Sequence, residues 1–209
     1  MKISIDCWGT ILKSSPTFLS EKRKLVNKYI PCTDDYIDAC FSMTKKVFND
    51  VIENSGGCQP STDYIFTYLL SKLNGSYDSF SFLNEFINDY QKLAIANSPI
   101  VYSNETKEAL EKLSQKHTLI ISSNTMLISG NTLKFCLDHV GIGKYFSHFN
   151  FSDNLKKAKP HKAMYHKSNF HIGDNIITDK IGAINAGSKP IIINSTNLTI
   201  TDAINIILQ

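Results

Sequence analysis

Arginine is almost absent from this 209-residue chain: Arg23 stands alone against 21 lysines. Those lysines are scattered, the densest local group being Lys156, Lys157 and Lys159, and the formal net charge is only +3. A basic stripe able to follow a nucleic-acid backbone is missing, so no nucleic-acid partner is expected. Long apolar runs are missing too. Nothing approaches the roughly 18 residues of a membrane span. The N-terminus opens directly on Met1-Lys2-Ile3-Ser4-Ile5, without a charged-then-apolar signal segment, which makes the cytoplasm the default location and a membrane partner unexpected. Cysteine is sparse and unpatterned. Cys7, Cys32, Cys40, Cys58 and Cys136 are odd in number and lack close metal-type spacing, as expected of a reduced chain rather than a disulfide framework.

What is present is the composition of an ordinary globular protein, with 42% hydrophobic and 20% charged residues. The length suits one generous domain or a core with a small accessory domain. Lys2 to Asp6 reads as a short buried strand followed by a Gly9-Thr10 turn. A purely helical stretch comes next. It begins around Ser20 to Tyr29 and continues through the helically spaced Ile37, Cys40, Phe41, Val47, Phe48, Val51 and Ile52. Gly56-Gly57 breaks the pattern before Ile65, Tyr68, Leu69 and Leu73, and Asn74-Gly75 breaks it before Leu83, Phe86, Ile87, Tyr90 and Leu93. After Ser98-Pro99, strands and helices alternate. The pattern predicts helix 104–115, strand 117–122, helix 129–140, strand 148–151 and a short helix near 161–166. Strand 169–172, helix 179–186, strand 190–194 and a final helix from about Thr201 complete it. Such alternation implies a Rossmann-like parallel sheet covered on both faces. The expected division is an α/β core of residues 1–13 and 99–209 with an all-helical insertion, 14–98. An insertion after the first strand lies above the carboxyl ends of the strands, where open α/β sheets bind ligands.

Four short elements end strands or follow them: Asp6-Cys7-Trp8-Gly9-Thr10, Ser122-Ser123-Asn124, Lys159-Pro160, and Gly173-Asp174-Asn175-Ile176-Ile177-Thr178-Asp179. In a parallel sheet these ends converge on one rim. Carboxylates there, with one lysine and a hydroxyl, suit a hard divalent cation and a phosphate bound together. Carboxylates alone repel a phosphate; the metal and the lysine reverse that sign.

The order and spacing of these elements, over the whole chain, resemble the haloacid dehalogenase superfamily, most strongly at Gly173 to Asp179 and the Lys180 to Gly187 segment after it. The resemblance implies an enzyme, a Mg²⁺-dependent phosphatase-type hydrolase of a small phosphorylated molecule. Asp6 would be the nucleophile that forms an aspartyl-phosphate, and Lys159 would neutralise it. Thr10, Ser123, Asn124 and Lys159 would surround the substrate, Ser123 on the phosphoryl oxygens and Asn124 in support. Asp6, Asp174 and the backbone carbonyl of Trp8 would hold Mg²⁺, with Asp179 an indirect ligand. The helical insertion would be the mobile cap of this family, and the protein a monomer or homodimer.

One departure redirects the chemistry. Phosphatases of this family carry an aspartate two residues after the nucleophile as general acid and base, and here that residue is Trp8. General acid–base help is worth about 10² to 10⁴ in rate, so without it only an easy leaving group, such as that of an acyl phosphate, departs quickly. Two further readings follow: a binding or regulatory protein that keeps the site without the acid, and a 2-haloacid dehalogenase, which carries an aromatic at this position but uses no metal. A phosphonatase-type reaction would need a cap lysine, for which Lys22, Lys24, Lys28, Lys45 and Lys46 are equivalent in sequence. Arg23, beside Glu21, Lys22 and Lys24, reads as part of a solvated helix face. His171 reads as packing beside its strand, and the cap aromatics as the cap's own core. The Lys159 to Gly173 connection is short for the family, implying a trimmed helix there.

Overall fold

The computed structural model describes residues 1–76, 80–193 and 198–209. In chain order the elements are β1 (Lys2–Ile5), β2 (Leu12–Lys13), α1 (Pro16–Tyr29), α2 (Asp34–Asn54), α3 (Thr62–Asn74) and α4 (Leu83–Ala96). They continue as β3 (Ile100–Val101), α5 (Asn104–Lys116), β4 (Thr118–Ser123), α6 (Gly130–His139), β5 (Phe146–Phe151) and α7 (Ser152–Leu155). β6 (Phe170–Gly173), α8 (Gly182–Asn185), β7 (Lys189–Ile192) and α9 (Ile200–Leu208) end the chain. Helix starts are written locally. Thr33, Ser61, Ser103 and Ser129 each accept a bond from the backbone N–H three residues on, at α2, α3, α5 and α6. Thr199 and Asp202 form a reciprocal capping box at α9.

Five strands form one parallel sheet in the order β5-β4-β1-β6-β7. The chain starts at the centre, builds one side through β4 and β5, then crosses to build the other. The order therefore reverses around β1, which opens a crevice at the carboxyl ends of β1, β4 and β6. Helices cover both faces. Ile3, Ile5, Leu119, Ile121 and Ile172 are fully buried in a cluster that includes α5, α6 and α9 residues. The expected fold, a Rossmann-like core with a helical cap, is the one observed.

The insertion α1–α4 has its own apolar centre, in which Phe41, Phe48, Phe66, Phe86 and Tyr90 are buried with Ile37, Ile65 and Leu69. Tyr90 is the hub, 5.3 Å from the Phe66 ring and 6.0 Å from the Phe41 ring. Leu127, from the segment after β4, is buried in this same cluster. Several contacts join insertion and core, among them bonds from the Gln59 amide to the Thr125 carbonyl and from the Gln91 amide to the Leu127 carbonyl. β2 and β3, the entering and leaving strands, pair antiparallel as a clasp. At the opposite end the turn after α2 bonds to the segment before Lys159: the Ala158 N–H donates to the Gly57 carbonyl at 2.8 Å, and Cys58 bridges Lys157. Gly57 has φ +95°, and a Cβ on it would stand 2.2 Å from the Ala158 carbonyl oxygen. Only glycine fits there.

Several local expectations are corrected. Strand 148–151 begins earlier, at Phe146, which pairs with Leu119 across a register shift in the β4–β5 ladder. The helix expected at 179–186 is a π-turn over Ile176–Ile181 followed by one α-turn, Gly182–Asn185. The 161–166 helix is a 3₁₀ turn over Lys162–Tyr165, too short a connection for more. The last strand runs Lys189–Ile192; Asn194, expected at its end, lies outside the described residues. Among the described residues no helix is long and apolar enough to cross a membrane.

Phe66 is fully buried against Phe86 and Tyr90. Phe66→Ala should cost about 3 to 5 kcal/mol of stability, read as a lower midpoint in urea unfolding followed by circular dichroism. A loss under 1 kcal/mol would show that the insertion does not rely on this cluster.

Candidate active site and metal centre

Each strand end delivers one group. Asp6 follows β1, tied to the neighbouring strand by its N–H to the Ile172 carbonyl at 2.9 Å. Ser123 ends β4, Asp174 follows β6, and Asp179 lies within the π-turn beyond it. Lys159, 2% exposed, reaches in from the loop after α7 and donates to Asp6 Oδ1 and Asp179 Oδ1, both at 2.6 Å. Carboxylate oxygens of Asp6, Asp174 and Asp179 all lie within 4.8 Å of one another. Gly9 (φ +78°) closes the floor: a Cβ there would fall 2.3 Å from Asp174 Oδ2, so the backbone lies against that carboxylate.

Three carboxylates share one ammonium, and burial sorts them. For Asp6, desolvation outweighs Lys159, Asp179 and Asp174 add repulsion, and its pKa is pushed up to about 7. Burial, then Asp179, also raises Asp174. Asp179 is desolvated as well, yet Lys159 and a hydrogen bond from His171 outweigh burial and hold it below the usual carboxylate range. Burial likewise opposes the Lys159 ammonium, but Asp179 and Asp6 prevail and raise it. Asp179 keeps its charge; Asp6 is the group that yields a proton or takes one.

Asp179 has little capacity left. Its Oδ1 accepts from Lys159 and from His171 Nε2 at 2.9 Å, and its Oδ2 from the Asn175 N–H at 3.0 Å. His171 is fully buried, and burial lowers its pKa against the opposing pull of Asp179. With Nε2–H given to the carboxylate, Nδ1 accepts from the Ser4 hydroxyl at 2.7 Å. Ser4 continues to Ser168 at 2.9 Å, and Ser168 to Ser188 at 2.8 Å. A buried polar chain thus runs across β1 and β6 from Ser188 to Asp6. Sequence reading placed His171 beside its strand and missed this linkage. The available signal was a polar residue at the fully buried, paired positions Ser4 and His171.

The Ser123 hydroxyl is buried without a hydrogen-bond partner of normal geometry; the adjacent Cys7 thiol is only a weak one. It lines a cavity of about 300 Å³ together with Asp6, Lys159, Asp174 and Asp179. Trp8 and Phe18 form an apolar side of this cavity, with Met126, Leu127 and Ile128, and α2 contributes Lys45, Asn49 and Glu53. One expected substrate neighbour, Thr10, is placed differently, whereas Asn124 takes the supporting place expected of it. Thr10 is buried under the site, its hydroxyl 3.3 Å from Asp6 Oδ2, and does not line the cavity. Asn124 lines it, but its amide is engaged with Lys159, accepting from the backbone N–H at 2.6 Å and donating to the carbonyl at 3.0 Å. Arg23 is paired with Asp34 and Asp38 on the insertion's surface, away from the cavity.

A carboxylate-rich crevice at the reversal of a parallel sheet, roofed by a helical insertion, defines the class. Within it, the profile of the haloacid dehalogenase-like hydrolases matches residues 5–193, and the chain belongs to that family. Solved structures share the fold. The putative hydrolase YfnB of Bacillus subtilis, described as bound to magnesium, is 19% identical with a TM-score of 0.71, over 92% of this chain and 88% of that one. A predicted phosphoglycolate phosphatase from Haemophilus somnus is 18% identical with a TM-score of 0.68, over 99% and 97%. L-2-haloacid dehalogenase of Xanthobacter autotrophicus, with chloropropionic acid covalently bound, is 15% identical with a TM-score of 0.61, over 92% and 76%. No curated protein sequence matches the chain.

The Asp6 environment sets a pH dependence. Folding raises this carboxyl from 3.8 to about 7, so the folded protein binds the proton more tightly than the unfolded chain. Stability is therefore lost as pH rises through that interval and levels off above it. In EDTA, Asp6→Asn should melt several degrees above wild type at pH 8, the two converging as pH falls towards 4. A variant that melts lower at pH 8 would mean that the ion pair with Lys159 outweighs desolvation.

Proposed function

We propose that this protein is a Mg²⁺-dependent hydrolase that removes the phosphoryl group from a small molecule through Asp6. Residues 1–13 and 99–209 act as the catalytic core and 14–98 as its cap. The observation that carries the reading is the convergence of Asp6, Asp174 and Asp179 around a single ammonium, beside the unpartnered Ser123 hydroxyl.

The donor set fits a hard divalent cation. Three carboxylates against one lysine leave a buried excess of negative charge, and the raised Asp6 and Asp174 record its cost. Oxygen-only ligands suit Mg²⁺. Asp6 and Asp174 would hold the ion directly with the Trp8 carbonyl, while Asp179, saturated by Lys159, His171 and Asn175, would act at second remove. When bound, the ion supplies Lewis-acid polarisation of the phosphoryl oxygens.

The chain's own groups perform the transfer. An Asp6 carboxylate oxygen attacks phosphorus; the bond to the leaving-group oxygen breaks, and that oxygen departs with the electron pair. Ser123 donates to a phosphoryl oxygen, and Lys159 offsets the charge that develops. Water then attacks phosphorus, the bond between phosphorus and the Asp6 oxygen breaks with its electron pair returning to the carboxylate, and the water's protons leave with inorganic phosphate or pass to solvent. Asn124 sets the lysine by gripping its backbone on both sides. Trp8 carries no transferable acid proton, so the leaving group departs as an anion or takes its proton from water, which favours acyl phosphates.

Acetyl phosphate should release phosphate in the presence of Mg²⁺, and Asp6→Asn should reduce the rate at least 10³-fold, about 4 kcal/mol of barrier. Equal inertness of both proteins across a broad phosphate panel would sink the hydrolase reading. Trp8→Asp separates a specialised enzyme from a binding-only protein: it should extend hydrolysis to alkyl phosphates by about 10²-fold, measured by phosphate release. The apolar side formed by Trp8, Phe18 and Ile128 favours one other reading, dehalogenation. That reading demands halide release from a 2-haloacid in EDTA, measured by ion electrode.

A further inference from the structure

The roof of the cavity carries charge that the chemistry above does not use. Lys45, Asn49 and Glu53 recur every four residues along α2, so they share one helix face, and all three line the cavity above Asp6. Among the described residues Lys45 has no hydrogen-bond or ion-pair partner. The lysines beside it differ: Lys22 is bound to Asp38, and Lys28 to Asp89. On the cavity floor, the sole ammonium is engaged by two carboxylates.

We propose that Lys45 forms the leaving-group subsite of this protein, pairing with a carboxylate on the departing part of the phosphorylated substrate. The inference rests on the hydrolase reading for what departs, and on the cavity alone for what binds. Three features select a carboxylate. First, Lys45 comes from the insertion helix α2 and Ser123 and Lys159 from the core, so with the phosphoryl group at the core residues its charge is left for the rest of the substrate. Second, one ammonium matches a monoanion. A second phosphate would bring a dianion towards Glu53 on the same face, without the planar guanidinium that holds phosphate in two-pronged fashion. Third, Phe18, Met126 and Ile128 line the cavity too, suiting a short apolar body between the two anionic ends. Asn49 offers an amide donor for the second carboxylate oxygen. A charge-assisted pair partly withdrawn from water favours the carboxylated substrate by about 10- to 100-fold over its uncharged analogue.

The test compares 4-carboxyphenyl phosphate with phenyl phosphate, read as the ratio of their kcat/KM values with Mg²⁺. Wild type should prefer the carboxylated ester. Lys45→Gln should lower that ratio about 10- to 100-fold, Lys45→Arg should restore most of it, and Lys46→Gln, altered outside the cavity, should keep it. Binding of 4-carboxyphenylphosphonate and phenylphosphonate by calorimetry supplies a second readout that needs no turnover. Hydrolysis with a ratio unmoved by Lys45→Gln overturns the subsite and leaves the hydrolase reading standing. Absent hydrolysis with a Lys45-dependent preference for the carboxylated phosphonate supports the subsite and overturns the hydrolase reading. Neither turnover nor carboxylate-dependent binding overturns both.

Discussion

One ammonium between two carboxylates organises this molecule. Lys159 is almost wholly buried and 2.6 Å from both Asp6 and Asp179. A charge in that position is tolerable only while it stays paired, and Asp179 remains its charged partner when Asp6 takes up a proton. The demand spreads outward through the fold. β1 must end at Asp6, the π-turn must turn Asp179 back beneath it, and the loop carrying Lys159 must be held at its backbone, which Asn124 does. An asymmetry follows. Asp179, with a second donor in His171, is held below the usual carboxylate range, whereas Asp6 shares its lysine, lies in low dielectric and is raised above it.

The line of serines behind His171 extends that constraint through the sheet. Buried hydroxyls and an imidazole cost free energy unless each is satisfied. Here the cost is met by a continuous chain from Ser188 through Ser168 and Ser4. Asp179, which only accepts, takes the histidine Nε2–H and leaves Nδ1 to the Ser4 hydroxyl, and the same Asp179 oxygen holds the lysine. Removing a link in the middle leaves a buried group without its partner. Positional control over the site therefore resides partly in residues that never face the cavity.

Much of this was legible before any coordinates. The strands carrying Asp6, Ser123 and Asp174 are short apolar runs that end in polar residues, and alternation with helices implies a parallel sheet. That is enough to gather those ends on one rim. Other parts were not legible, for physical reasons. Ser4 and His171 are cross-strand neighbours separated by most of the chain, so no local pattern links them. Helical periodicity in α2 identifies the buried stripe of Ile37, Phe41, Phe48 and Ile52, but it cannot say which flank looks onto the cavity and which onto water. Lys45 was therefore one among several equivalent lysines. The π-turn escaped because its residues fit an ordinary helix; its extra backbone slack answers to Asp179, not to propensity. Thr10 is expected beside the substrate, whereas its side chain lies beneath Asp6; Asn124, expected in support, holds the Lys159 backbone.

The glycine contact at the far end of the insertion has a mechanical corollary. Gly57 is joined to Ala158, and Ala158 immediately precedes the buried lysine in the chain. Any lifting of the insertion would break that bond or tug on the segment that carries the positive charge. It would also have to open the bonds of Gln59 to Thr125 and of Gln91 to Leu127 and Ser129. Displacement of the insertion and placement of the ammonium would thereby be mechanically linked.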